Sequence, residues 1–155
     1  MGKYFIFFLF ATMNLFANNF SYKLEKPLSI KSDEAIFEKN SKKIIFKSNV
    51  VAKNDDFELK ADAVNVNYEE SKEKLVNKII ANDNIKLTSK DVEANGDIGI
   101  FDMKKQTVTL LQNVVIKNNK LDILSDRFIY DIRTKKSVIG TGDKNKKTTV
   151  ILDEL

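Results

Sequence analysis

From Leu28 to about Ile139, apolar and polar residues alternate at period two, and helical spacing is poor nearly everywhere. Such alternation predicts β-strands with one buried face. One stretch, EESKEKLVNKII at 69–80, has a helix-like look, but of its i,i+4 pairs Glu69–Glu73 and Glu70–Lys74 only the second is attractive. The ANDNIKL that follows returns to alternation, so the stretch is read as a hairpin tip. The apolar phase changes along the strands. Phe57, Leu59 and Ala61 share one face, and Val64, Val66 and Tyr68 have the opposite parity. Leu28 and Ile30 likewise give way to Ala35 and Phe37, and Leu121 and Ile123 to Phe128 and Tyr130. The flips fall at Ser32-Asp33, Ala61-Asp62 and Ser125-Asp126. One extra residue at a bulge or corner keeps apolar side chains inward on both sides of a bend. Each long strand is therefore expected to turn from one sheet into a second, facing sheet. In the third segment Val92, Ala94, Gly96, Ile98 and Ile100 hold one parity, and Gly96 and Gly99 are expected to allow the bend without a flip.

The segments repeat. Copies begin at Ser32-Asp33, Ala61-Asp62, Asn95-Gly96 and Ser125-Asp126 and reach aromatics at Phe37, Tyr68, Phe101 and Tyr130, with spacings of 31, 33 and 29 residues. Charged turns follow: EKNSKK, EESKEK, DMKKQ and DIRTKK. Three copies continue into a return strand opening on Asn and an aliphatic residue: Asn49-Val50, Asn84-Ile85 and Asn113-Val114. A repeat of this period is one supersecondary unit stacked on its neighbours. Strand, turn, strand predicts a β-solenoid or an elongated sandwich.

Composition narrows the chemistry. The 155 residues contain no Cys, His or Trp, and the formal net charge is +4. Thiolate nucleophiles, imidazole bases and most zinc and copper sites are excluded together. The charge is a mild excess spread along the chain, which argues against nucleic acid as a partner. Five glycines and one proline leave no Gly-rich phosphate loop. The N-terminus places Lys3 before a 14-residue apolar run that ends at Ala17. That pattern fits a secretory signal peptide over residues 1–17, cleaved near Ala17. The run is shorter than the roughly 20 residues needed to span a bilayer, and Asn14 interrupts it. Residues 18–27 read as an extended lead-in. Residues 141–155 read as a mobile tail in which TTVIL is either one further strand or a strand for a partner.

Ile30, Phe37, Ile44, Phe46, Leu59, Val64, Val66, Ile85, Leu87, Leu110, Ile116, Ile123, Phe128 and Tyr130 form the predicted inward stripe. Alternation by itself favours an ordinary closed sandwich core, because that is how sheets bury a face. The same stripe suits a groove for acyl chains, which needs apolar walls without placed polar groups. The carboxylates Asp33, Asp62, Asp97, Asp102, Asp126 and Asp131 recur beside turns and bends, where Asx-type hydrogen bonding explains them better than acid–base catalysis. ANDN and GDKN are too sparse in carboxylates for calcium. The Lys-rich turns, with Lys42, Lys43, Lys72, Lys74, Lys104, Lys105, Lys135 and Lys136, read as solvated tips that discourage edge aggregation.

Taken in series, SDEAIFEKNSKKIIFKSNVVAK, LKADAVNVNY, IIANDNIKL, VEANGDIGIFDMKKQTVTLLQNVVI and LDILSDRFIYD resemble the OstA/LptA-like domain of periplasmic lipopolysaccharide-transport bridge proteins over residues 28–140. Members of that family often carry Gly where this chain has Ser48, Asp83 and Gln112. The resemblance implies an all-β, elongated, open β-jellyroll of repeated antiparallel hairpins. It implies an apolar groove, lined by the stripe, that holds lipopolysaccharide acyl chains. The implied partners are lipopolysaccharide, the homologous jellyroll domains of an inner-membrane-anchored component and an outer-membrane translocon, and further copies of the chain joined head to tail. No cofactor, metal or covalent chemistry is implied. Two other readings stay open: the membrane-anchored partner of the same system, and an exported structural β-solenoid that binds only protein.

Overall fold

The structure, a computed structural model, describes residues 28–53, 55, 57–69 and 76–152. The predicted signal peptide, the lead-in to Pro27 and most of the EESKEK tip lie outside the described residues. Ten strands form one antiparallel sheet: β1 (Ser29–Lys31), β2 (Glu34–Glu38), β3 (Lys43–Lys53), β4 (Phe57–Tyr68), β5 (Val76–Ser89), β6 (Val92–Asp102), β7 (Thr107–Asn118), β8 (Leu121–Asp131), β9 (Lys136–Gly140) and β10 (Thr149–Leu152). Neighbours in sequence are neighbours in space. At one end β1 and β2 both pair with β3, and at the other β9 and β10 both pair with β8. The terminal strands do not close on each other, so the sheet is open. Val76–Ile80, the second part of the stretch read as a hairpin tip, is already strand, so β5 begins before ANDNIKL.

Each long strand is divided at its middle. On β3, β5 and β7 two consecutive residues adopt left-handed backbone: Ser48 and Asn49 at φ 60° and 54°, Asp83 and Asn84 at 61° and 52°, Gln112 and Asn113 at 62° and 51°. Each pair faces a single residue of the next strand, Asp62, Asp97 or Asp126, where the register shifts. This two-against-one arrangement is a β-bulge, and it bends the pair of strands sharply. Asn tolerates left-handed backbone because its short polar side chain bonds locally. Here Asn49 Nδ2 donates to Asp33 Oδ2 at 2.7 Å, Asn84 to Asp62 at 2.7 Å and Asn113 to Asp97 at 2.6 Å. The return-strand Asn and the outgoing-strand Asp of the repeat are thus the two halves of one clamp. The other residue of each left-handed pair, Ser48, Asp83 or Gln112, is the one at which the resembling family often has Gly, the residue that enters this region without steric cost.

The bends explain the parity. Inward residues are three apart across the Asp (Ala61 to Val64) and four apart across the left-handed pair (Ala81 to Ile85, Leu110 to Val114). The third unit corrects the sequence reading. Val92, Ala94 and Gly96 face inward, but so do Gly99 and Phe101, while Ile98 and Ile100 are half-buried on the other face. Parity therefore flips at Asp97 as it does at Asp62. Neither Gly96 nor Gly99 has positive φ; the bend is made by the left-handed pairs of the flanking strands, Asp83-Asn84 opposite Asp97 and Gln112-Asn113, whose Asn113 bonds it. Gly99 has a different role: a Cβ there would lie 3.3 Å from Ile85 Cδ1 and 3.6 Å from Leu110 Cδ2. The register also moves one aromatic. Phe37, Ile44, Val66, Ile79, Phe101, Val108 and Tyr130 lie in one inner row, so Val66, not Tyr68, is the equivalent of Phe101 and Tyr130.

The last bend is built differently. Lys146 Nζ lies 3.3 Å from Asp126 Oδ2, in the place of an Asn, and Ser125 Oγ donates to Gly140 O at 2.6 Å. The loop between β9 and β10 is tied to this bend, and Thr141 Oγ1 donates to Asp143 O at 2.7 Å within it. Within the stretch read as a tail, Lys146 and Thr148 contact this bend, and TTVIL supplies β10 alongside β8.

The bend predicts its own mutational signature. Left-handed backbone costs a non-Gly residue about 1–2 kcal/mol, and Gly returns about 0.5–1 kcal/mol of that through its freer unfolded chain. Gln112→Gly is expected to stabilise the fold by up to about 1 kcal/mol. Asn113→Ala, which loses the bond to Asp97 and keeps the strained backbone, is expected to destabilise it by about 1–2 kcal/mol. Urea denaturation of both variants checks the opposite signs.

Candidate functional site

The bends divide the sheet into two half-sheets with facing inner surfaces. The first contains β2, β9 and the adjoining halves of the long strands; the second contains β1, β10 and the remaining halves. Leu59, Val64, Val66, Ile85, Leu87, Leu110, Ile116, Ile123, Phe128 and Tyr130 are buried in one continuous cluster. Ile30, Ile44 and Phe46 are partly buried against it. Thirteen of the fourteen predicted stripe residues therefore meet in one interior. Phe37 does not. It is on the inner face by register with Ile44, but β2 is terminal among the described strands, and Phe37 is 74% exposed. The interior also includes Val50, Phe57, Ile79, Phe101, Val108 and Val114, which the stripe omitted. Their signal was the same alternation. Phe101 has the parity opposite to Ile98 and Ile100 and is the one that faces inward.

The interior is dry in character and nearly full. No charged side chain is buried among the described residues. One cavity of about 20 Å³ lies between Leu87, Val92, Ala94 and Ile116 of the second half-sheet and Phe101, Val108, Leu110, Phe128 and Tyr130 of the first. Another of about 10 Å³ lies between Ile30, Leu59 and their neighbours and Val64, Ile79 and Phe101. Both are lined jointly by the two half-sheets, so any ligand larger than a water must part them.

Among the terminal strands, Ile30 of β1 and Ile139 of β9 pack against the core, whereas the inner faces of β2 and β10 are largely uncovered. Beside Phe37 at the β2 end, Val150 and Leu152 of β10 stand in register with the buried Ile123 and Leu121, yet they are 47% and 50% exposed. The apolar track thus runs the length of the sheet and emerges at both ends. The outer faces differ from it and from each other. On the second half-sheet the outer face carries ion pairs such as Lys86–Glu93 at 3.2 Å and Lys60–Glu58 at 3.1 Å. Lys86 beside Glu93 holds that carboxyl below its usual range. On the first half-sheet Ile36, Ile45, Ile80, Ile100 and Ile129 share an outward row.

The carboxylates singled out in the sequence serve the backbone. Asp33, Asp62 and Asp97 accept from the clamp asparagines. Asp102 Oδ1 accepts from Lys105 N at 3.0 Å and Asp131 Oδ1 from Thr134 N at 2.8 Å, each closing a hairpin tip. The bond from Thr134 N is the main reason the Asp131 carboxyl titrates below its ordinary value. Lys42, Lys104, Lys105, Lys135 and Lys136 lie at exposed tips or just beyond them, with Lys104 paired to Glu69, and Lys43 is half-buried at the start of β3. Lys72 and Lys74 lie outside the described residues. An open cavity of about 370 Å³ sits at the last bend between Asn113, Val114, Ser125, Asp126, Thr141, Lys146 and Lys147.

The family model described as LptA/(LptD N-terminal domain) LPS transport protein matches residues 29–136. Among solved structures, the chain is similar to LptH, the LptA homologous periplasmic component of the lipopolysaccharide transport device of Pseudomonas aeruginosa. That likeness has a TM-score of 0.71 at 12% identity and covers 84% of this chain and 97% of the other. At that identity it speaks for the fold. No curated protein matches the chain in sequence.

Core and rim positions of the stripe are expected to separate on truncation. Phe128 is 2% exposed, and Phe128→Ala should cost about 3–5 kcal/mol in urea denaturation. Phe37→Ala at the uncovered end should stay within about 0.5 kcal/mol of the parent.

Proposed function

This chain belongs to the family of LptA and LptD N-terminal-domain lipopolysaccharide-transport proteins, and we propose that it is a non-enzymatic bridge that takes lipid acyl chains between its half-sheets. The single observation that carries this reading is the apolar inner face, which runs from Phe37 to Val150 and Leu152 and is exposed at both ends. A sealed core would bury its terminal residues. An apolar track left open at each end is suited to continuation by a neighbouring domain. Acyl chains supply the occupant, since each methylene removed from water contributes roughly 0.8 kcal/mol. Sugars and phosphates stay outside, near the charged outer face and the Lys-rich tips.

In this reading residues 1–17 direct export and are removed, and the mature protein works in the periplasm. Its ends meet the homologous jellyroll domains of an inner-membrane-anchored component and an outer-membrane translocon, or further copies of itself. The outer edges of β1, β2 and β10, which pair with no further strand among the described residues, favour such contacts, because a strand edge is a template for β-augmentation. The contact joins unlike surfaces, so it builds open rods and not closed dimers.

Photoreactive residues placed in cells at Phe46, Leu59 or Val66 are expected to capture lipopolysaccharide, whereas Lys43 and the outward Ile100 are expected to stay unlabelled. Equal labelling of both sets, or of neither, removes the groove. For assembly, the apparent mass of the mature protein in light scattering should rise with concentration. The pair Val150→Glu and Leu152→Glu should abolish that rise while leaving the melting temperature near that of the parent. A mass independent of concentration in the parent protein would sink the end-to-end model.

A further inference from the structure

The interior contains one group that packing does not require. Tyr130 is 0% exposed, and its hydroxyl has no hydrogen-bond partner among the described residues. A buried hydroxyl without a partner disfavours the folded state. The repeat supplies an internal control. Phe101 occupies the same inner row one unit earlier, is 3% exposed, and lines the same cavity of about 20 Å³. A bare ring therefore fills such a position, and the additional oxygen of Tyr130 has no structural task. Water is a poor explanation. The cavity has the volume of about one water, but a buried water needs two or more polar partners. The other side chains around it, Leu87, Val92, Ala94, Val108, Leu110 and Phe128 among them, offer none.

We propose that the Tyr130 hydroxyl is a preplaced hydrogen-bond group for an oxygen carried on the acyl chain of the occupant, so that the interior selects oxygenated acyl chains over plain ones. This inference rests on the reading of the interior as an acyl-chain site. The physical basis is asymmetric. A plain chain that parts the half-sheets leaves the hydroxyl unpartnered, as it already is. A chain bearing a hydroxyl or an ester carbonyl at that depth satisfies it and loses little by leaving water. Burial, and secondarily the charge of Asp131, pushes the Tyr130 phenol above its ordinary pKa, so the group stays a neutral donor throughout the physiological range.

The test compares myristate and hydroxymyristate, each below its micelle concentration, by displacement of an apolar fluorescent dye from the full mature chain. The parent protein is expected to bind hydroxymyristate about three- to tenfold more tightly, the worth of one net hydrogen bond. Tyr130→Phe is expected to bring that ratio to about one, and its melting temperature should equal or exceed that of the parent. An unchanged ratio in Tyr130→Phe overturns the proposal. A lower melting temperature also overturns it, because the hydroxyl would then have a partner within the fold. Failure of both fatty acids to displace the dye from either protein overturns the acyl-chain reading itself, and the selectivity with it. Phe101→Leu, which leaves Tyr130 in place, should weaken both fatty acids alike and preserve the ratio; loss of selectivity there assigns it to cavity shape and overturns the role of the hydroxyl.

Discussion

The architecture depends on one local conflict and its resolution. A strand long enough to cross both half-sheets has to bend at its centre without turning its apolar side chains outward. The chain solves this with two left-handed residues on the return strand opposite a single Asp on the next strand. The Asn of the left-handed pair then bonds the Asp of the preceding outgoing segment. Side-chain parity in a strand is strictly two, so a bend without an added residue would expose half of the interior. Everything above the bend, including the facing surfaces and the shared interior, follows from the repetition of this device. The fourth bend shows that the geometry is required and the chemistry is not. An ion pair from Lys146 stands where an Asn is missing, and it ties down the crossover to β10.

Stacking such bent hairpins gives an interior with walls from two half-sheets and no wall at the ends. Ile30 of β1 and Ile139 of β9 still pack against the core, but the inner faces of β2 and β10 have little beside them among the described residues. Phe37 on one side and Val150 and Leu152 on the other are the result. The same geometry sets the condition for binding. Cavities of about 20 and 10 Å³ leave no room for a chain, so occupancy is coupled to separation of the half-sheets. Gly99 of the first half-sheet, with Ile85 of the second against it, shows how closely they meet.

The alternation from Leu28 to Ile139 determined the strands, and the flips at Ser32-Asp33, Ala61-Asp62 and Ser125-Asp126 determined three of the bends. Parity is a property of the chain alone, so these were legible before any contact was known. Thirteen of fourteen stripe residues were legible for the same reason. The third bend was not. Ile98 and Ile100 are as apolar as Phe101, and a run apolar on both faces carries no parity signal. Only the ladder, with Asn113 bonding Asp97, decides which face is inside. Phe37 is apolar and correctly phased, but its exposure depends on β2 being terminal, which is a fact about strand order. The unpartnered Tyr130 hydroxyl was equally invisible, since a sequence shows a tyrosine and not the absence of a donor or acceptor around it. What the residues determined by themselves is local: period, phase and the turn chemistry of Asn and Asp. What the tertiary structure decided is which faces meet and which are left without a neighbour, because those depend on the positions of strands far apart in the chain.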